Sequence, residues 1–324
     1  MEHRPLGTSG LQVSPVGLGT MAWGRDVDAS TARQLIEAFV ERGGSLVDTA
    51  PAYGAGAAEK MIGATLARGL PREDLVIATK AGFVVRDGKR VIDTSRGALL
   101  DDLANSLRRM GTTYVDLWQI HAWGDVALDE TLAAVDSAVN SGMARYAGVS
   151  NFVGWQTATA ATWQAAVPGR ARLSSVQVEY SLLARRAEVE VVGAAQHHGL
   201  GLLAWSALGR GALTGKYRGG QRPRDSRAAS SHFSWFLEPY LQPRSAAICD
   251  AVCHAAQGLG LSPAQVALLW VRDAPRVTSA LVGPRTLAQL DELLDIDGKH
   301  LVAPITAALD DISGGTNALR NQAP

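Results

Sequence analysis

Residues 46–54, LVDTAPAYG, join a short apolar run to a carboxylate at Asp48 and a turn that presents Tyr53. The run is too short and too apolar for a solvated helix, so it reads as a buried strand whose last side chain reaches the rim. A single Asp there would serve as a helix N-cap, and a single Tyr as packing. Two further runs change that reading: LVIATK (75–80) ends in Lys80, and VDLWQIH (115–121) ends in His121. Three successive strands thus deliver Asp, Lys and His to the same kind of position. In a closed barrel of parallel strands the C-terminal strand ends converge on one face, where the chemistry sits.

Outward from this stretch, strand and helix alternate. A strand at 15–19 precedes a helix near 29–42, whose Leu35, Ile36, Phe39 and Val40 share a face before Gly43-Gly44 stops it. Strand 46–48 leads to helix 57–68, strand 75–80 to helix 95–110, and strand 115–120 to helix 129–141. Strand 145–149 leads to helix 154–166, strand 175–179 to helix 186–198, and strand 201–205 to a long loop over 208–243. Helices 244–258 and 263–273 follow, then strand 278–282 and helix 286–294. Counted from Val16 these are eight β/α units, which predict an α/β fold, a (β/α)8 TIM barrel. Residues 4–14 read as an N-terminal β-hairpin that plugs one end, and 303–312 as an extra C-terminal helix. Residues 1–324 read as a single domain. The open-sheet alternative needs a Gly-rich dinucleotide turn. Its nearest candidate, GAGAAE (54–59), has Glu59 where a third small residue belongs, so Gly56 and Glu59 read as a helix start.

Composition narrows the function. With 47% hydrophobic and 19% charged residues among 324, the chain can bury a full core. Its 31 Lys and Arg balance 31 Asp and Glu, so no basic field points to nucleic acid and a small-molecule partner is expected. MEHRPLGTSG lacks the pattern of a signal peptide and no apolar run is long enough to span a bilayer, so no membrane association and a cytoplasmic location are expected. Cys249 and Cys253 lie four apart on a predicted helix beside His254. Without CxxC or HExxH spacing they read as buried thiols, and no metal is expected.

The set Asp48, Tyr53, Lys80 and His121, with GVSNF (148–152), QVEYSLL (177–183), WSALGRGALTGKY (205–217) and LVGPRTLAQLDE (281–292), resembles the aldo-keto reductase superfamily. The resemblance runs from the N-terminal hairpin to about residue 294. It implies a barrel that holds NADP(H) across its C-terminal face and reduces a small-molecule aldehyde or ketone. It also implies that Ser150, Asn151 and Gln177 hold the carboxamide and that Trp205 stacks on the nicotinamide. Ser206, Leu208, Gly211 and Lys216 would follow the pyrophosphate, Arg285, just beyond the cofactor-binding Gly283, would meet the 2′-phosphate, and Gln289 and Glu292 the adenine. Leu293 stands where many members carry Asn, and Ala207 where Pro is frequent.

The chemistry follows from the residue types as well. Hydride addition to a carbonyl builds negative charge on oxygen, so the site needs a proton donor and groups that hold the charge. Tyr53 is the acid; a phenol's ordinary pKa of about 10 is high for that task, and a neighbouring Lys80 ammonium would lower it. Asp48 would hold Lys80 charged and in place, and His121 would hydrogen-bond the carbonyl oxygen. Met21, Trp23, Phe83 and Trp123 follow strand ends and are expected around the substrate. So is the insertion 219–243, in which His232, Phe233, Trp235 and Phe236 would form an aromatic lid. Arg222, Arg224 and Arg227 in it would either meet an anion or stand solvated. Two other readings stay open: a nicotinamide-binding regulator similar to the potassium-channel β subunits, and a dedicated reductase of a nucleotide-sugar or natural-product ketone. The intact tetrad and the lack of a long segment before the hairpin favour the enzyme. Nothing in the chain indicates an oligomeric state.

Overall fold

The computed structural model describes residues 1–86, 88–224, 226–230 and 234–314. Strands β1 (Arg4–Pro5) and β2 (Gln12–Val13) pair antiparallel as the expected hairpin. β3 (Val16–Gly19), β4 (Leu46–Asp48) and β5 (Val76–Ala81) open the barrel. A second hairpin, β6 (Phe83–Arg86) and β7 (Lys89–Ile92), rises from the end of β5. β8 (Val115–Ile120), β9 (Ala144–Ser150), β10 (Leu173–Glu179), β11 (Gly201–Trp205) and β12 (Val277–Val282) complete the ring. The barrel strands are parallel, and β12 closes onto β3.

Helices α1 (Ala29–Glu41), α2 (Ala57–Leu66), α3 (Arg96–Met110), α4 (Leu128–Asn140), α5 (Gly154–Ala166) and α6 (Val191–His198) each return the chain to the next strand. After β11 come α7 (Ser234–Leu237), α8 (Pro243–Leu259) and α9 (Pro263–Arg272); α10 (Leu287–Leu294) and the extra α11 (Ala303–Ser313) follow β12. The local causes are legible. Asp28 caps α1 through Thr31 N, Ala32, Leu35, Ile36 and Phe39 form its buried face, and Ser262 with Gln265 makes a capping box ahead of Pro263 on α9.

Two expectations are corrected. The single helix over 186–198 is a short turn, Arg186–Glu188, followed by α6. The long connection after β11 is not a bare loop: Gly209–Thr214, Arg218–Gly220, α7 and Glu238–Tyr240 give it successive helical turns.

Strand geometry sorts the barrel interior into layers. Alternate residues point inward, and Leu46, Ala78, Leu117, Leu203 and Leu281 form an apolar floor with Leu6 and Val13 of the hairpin beneath it. The hairpin is therefore the expected plug, tied down by Arg4, whose guanidinium donates to the carbonyls of Arg272 and Val277. Each buried leucine contributes about 2 kcal/mol. Two residues further along β4, β5 and β8 the inward positions turn polar, at Asp48, Lys80 and Gln119; Gln177 of β10 joins them, and Trp205 stands two residues beyond Leu203 on β11. The other strand face packs against the helices in a separate core that contains Phe39, Trp118 and Trp270.

Candidate active site

Asp48 closes β4, Lys80 is the next-to-last residue of β5, and His121 follows β8 directly. All three are buried. Tyr53 begins the turn Tyr53–Gly56, where Gly54, Ala55 and Gly56 are all left-handed (φ 57°, 51° and 86°). Ala55 in that region costs about 1 kcal/mol, which the packing beneath offsets. A Cβ at Gly54 would lie 2.6 Å from the Trp23 carbonyl, so only glycine lets the turn sit this low.

The turn brings the Tyr53 hydroxyl to 3.4 Å from Lys80 Nζ. Lys80 also donates to Asp48 Oδ2 at 2.6 Å and to the Thr49 carbonyl at 3.0 Å, so its three protons have three acceptors. The second carboxylate oxygen, Oδ1, accepts from Gln177 Nε2 at 2.7 Å. The His121 ring meets Tyr53 edge-on, with centroids 6.3 Å apart, and Phe83 at 4.4 Å.

Burial pushes the Tyr53 phenol above its ordinary value, and the Lys80 charge opposes that rise without cancelling it. This corrects the expectation of a net lowering: desolvation outweighs the cation, and Tyr53 is protonated at neutral pH, as an acid must be. Burial would depress Lys80, but Asp48 and then Tyr53 overcome it and raise the ammonium's pKa. His121 is held well below its usual 6.5, first by burial and then by the charges of Lys80 and Arg90. Its imidazole is neutral at neutral pH.

The His121 shift has a measurable consequence. The unfolded chain takes up this proton near pH 6.5 and the folded one does not, so stability is complete above that pH and falls as the pH drops below it. The slope is up to about 1.4 kcal/mol per pH unit. Urea unfolding of the wild type and His121→Asn between neutral pH and about pH 5 should show a shallower decline in the variant. Equal slopes would place the His121 pKa near its ordinary value.

Above this floor opens a cavity of about 520 Å³. Every residue assigned to the cofactor by resemblance lines it: Ser150, Asn151 and Gln177; Trp205, Ser206, Leu208, Gly211 and Lys216; Gly283, Arg285, Gln289 and Glu292. Ala207 and Leu293, the two departures, line it as well. Asn151, itself left-handed at φ 57°, joins three strand ends: Nδ2 donates to the His121 carbonyl and Ser150 Oγ, and Oδ1 accepts from Trp205 Nε1. Gln289 Oε1 accepts from the Arg285 backbone at the start of α10.

The expected substrate residues divide. Met21 and Phe83 line the cavity. Trp23 does not: it is wholly buried beneath the Tyr53 turn. Trp123 turns aside to pack on Phe152 and Trp155, and Trp235 stands 71% exposed on α7 with its edge on Phe236. Phe233 and His232 lie outside the described residues. Of the expected lid, Phe236 reaches the cavity, parallel to the Trp205 ring at 6.4 Å.

Sequence reading missed several lining residues, Arg210 and Arg90 among them, and a buried residue behind the lining, Gln119. Arg210 binds Glu179 through two parallel bonds of 2.8 and 2.7 Å and donates to the Phe236 carbonyl at 2.5 Å, which straps the 209–240 connection to the end of β10. Arg90 arrives on the β6–β7 hairpin, whose sequence signal was Asp87-Gly88 between FVVR and KRVI. Gln119, buried beside Gln177, stands two residues before His121 on the inward face and was visible as a polar break in period two.

The sequence profile of the Aldo/keto reductase family covers residues 15–312. The chain belongs to the aldo/keto reductase family. Among similar proteins, the oxidoreductase YrpG of Bacillus subtilis is 35% identical over 97% of each chain. A protein of Arabidopsis thaliana named as a probable voltage-gated potassium channel subunit beta is 32% identical over 94% of each. Versiconal hemiacetal acetate reductase of Aspergillus parasiticus is 31% identical over 90% of this chain and 91% of its own. The barrel, the N-terminal hairpin and the match along the chain make this an oxidoreductase family member in fold and sequence. Among the described residues no helix is long and apolar enough to cross a membrane.

Proposed function

We propose that the chain, acting as one domain, is an NADP(H)-dependent reductase that converts an aldehyde or ketone to an alcohol. One observation carries this reading: a buried, charge-balanced Lys80–Asp48 pair touches the Tyr53 hydroxyl beside a neutral His121 at the floor of the cavity. NADPH, when bound, supplies the hydride.

The rest of the chemistry belongs to the protein. The protonated Tyr53 gives its proton to the carbonyl oxygen as charge develops there. Lys80 lies close enough to hold the resulting phenolate until solvent reprotonates it. Asp48, bonded on both oxygens, fixes Lys80 in position. His121, neutral and edge-on to Tyr53, orients the carbonyl through a ring N–H without taking its proton.

The cavity's donor set fits the cofactor. Trp205 offers a ring face, and Asn151 and Gln177 offer amides. Lys216 lies beside the Gly211 backbone, where a Cβ would be 3.7 Å from its ammonium, a cation and open backbone suited to a diphosphate. Arg285 supplies a guanidinium fork suited to a further phosphate. Arg285→Ala should therefore weaken NADPH roughly tenfold and NADH far less, read as quenching of tryptophan fluorescence. Equal weakening would remove the 2′-phosphate role.

The reading is tested by loss of NADPH absorbance with the purified protein and a panel of aldehydes, dicarbonyls and sugar ketones. Carbonyl-dependent oxidation supports it, and the best substrate separates a broad reductase from a dedicated one such as the name of the Aspergillus relative describes. The similarity to the Arabidopsis protein favours a second reading, a nicotinamide-binding regulator. Cofactor binding without any carbonyl reduction would select that one.

A further inference from the structure

The β6–β7 hairpin places a cation where the reductase reading does not require one. Phe83 pairs with Ile92 and Val85 with Arg90, so Phe83 and Arg90 are diagonal neighbours on one face of the hairpin. That face is turned toward the site, because Phe83 packs 4.4 Å from the His121 ring and the Arg90 guanidinium lies over the Phe83 ring at 3.6 Å. Arg90 also lines the cavity, and its charge acts on both Tyr53 and His121.

No carboxylate among the described residues neutralises it. The hairpin's neighbouring acid, Asp93, pairs with Arg86. Of the two carboxylates lining the cavity, Asp48 is bound to Lys80, and Glu292 lies on α10, after β12. Arg210, the cation over Phe236, is matched by Glu179. The cofactor-side cations, Lys216 and Arg285, come from the connection after β11 and the end of β12, whereas Arg90 comes from the insertion after β5.

We propose that Arg90 is an anion-recognition residue, and that the substrate is an aldehyde or ketone carrying a carboxylate or phosphate about one aromatic ring away from the carbonyl. The guanidinium grips the anion with its planar fork while the carbonyl faces Tyr53 and His121. The spacing follows from Phe83, whose one ring touches both the His121 ring and the Arg90 guanidinium and supplies an apolar wall for the body of the substrate. This rests on the reductase reading of the same site.

The test compares three aldehydes of one shape: para-formylbenzoate, para-formylphenyl phosphate and the neutral para-formylbenzamide, each with NADPH. The wild type is expected to favour an anionic member over the amide by about tenfold or more in kcat/KM, chiefly through KM. Added salt should erode the preference, because Arg90 is exposed to solvent. In Arg90→Ala and Arg90→Gln that preference ratio should collapse toward one, and Arg90→Lys should restore part of it. Which anion wins distinguishes a carboxylate from a phosphorylated substrate. If the amide is reduced as well as the anions, or if the ratio survives in both variants, Arg90 is a packing residue of the hairpin and the inference falls while the reductase reading stands. If none of the three, nor any other carbonyl, is reduced, the reductase reading falls and takes this with it.

Discussion

Tyr53→Phe should lower kcat by about 10²- to 10⁴-fold, the range that a positioned general acid supplies. The substitution removes one oxygen and leaves the ring, its edge contact with His121 and the turn beneath it. Lys80 keeps Asp48 and the Thr49 carbonyl as acceptors, so the buried ammonium is not stranded. Fold stability should change by no more than about 1 kcal/mol, the usual net value of one hydrogen bond. NADPH affinity should stay within about twofold, which marks an interaction used in the transition state and not in binding. Steady-state turnover and cofactor titration on the same preparation check both halves. Turnover close to wild type would mean that the proton comes from elsewhere, and His121 would be the next group to replace.

Lys80→Met should have the largest effect on stability. The substitution keeps most of the side-chain volume and removes the charge, leaving the Asp48 carboxylate 3% exposed with the Gln177 amide as its remaining donor. Breaking a buried pair from one side costs about 3–5 kcal/mol. At roughly 2 °C per kcal/mol for a large domain, Tm should fall by about 6 °C or more. Turnover should fall too, because nothing then holds the phenolate of Tyr53. A double variant, Asp48→Asn with Lys80→Met, should recover much of the stability, since neither charge then remains, but not the turnover. A Tm unchanged in Lys80→Met would show that solvent reaches the pair, and the account of a dry, charge-balanced floor would be wrong.

These two substitutions separate the protein's two uses of one cluster. The Asp48–Lys80 pair is both a structural element and the support for the acid, whereas Tyr53 belongs to the reaction almost alone. The difference is geometric. Asp48 and Lys80 are inward residues of β4 and β5, locked by strand register, and Tyr53 rides on a turn above them.

The sequence by itself determined the barrel and the floor of the site. Both are encoded by local periodicities: apolar runs long enough for buried strands, helical faces such as Leu35, Ile36 and Phe39, and polar residues where strands end. Strand side chains alternate with a period of two, so Leu46 pointing inward already commits Asp48 to the same face, and Leu117 commits Gln119. Tertiary structure alone decided where the connections after the strands go. Trp23 and Trp205 both belong to strand-end segments, yet one is sealed beneath the Tyr53 turn and the other lines the cavity. Arg210 meets Glu179 across 31 positions, and Arg90 reaches the cavity because its hairpin folds back over Phe83. A loop's direction is set by what it packs on, and those partners are distant in the chain. No local pattern carries that information, so the floor of the site was legible and its walls were not.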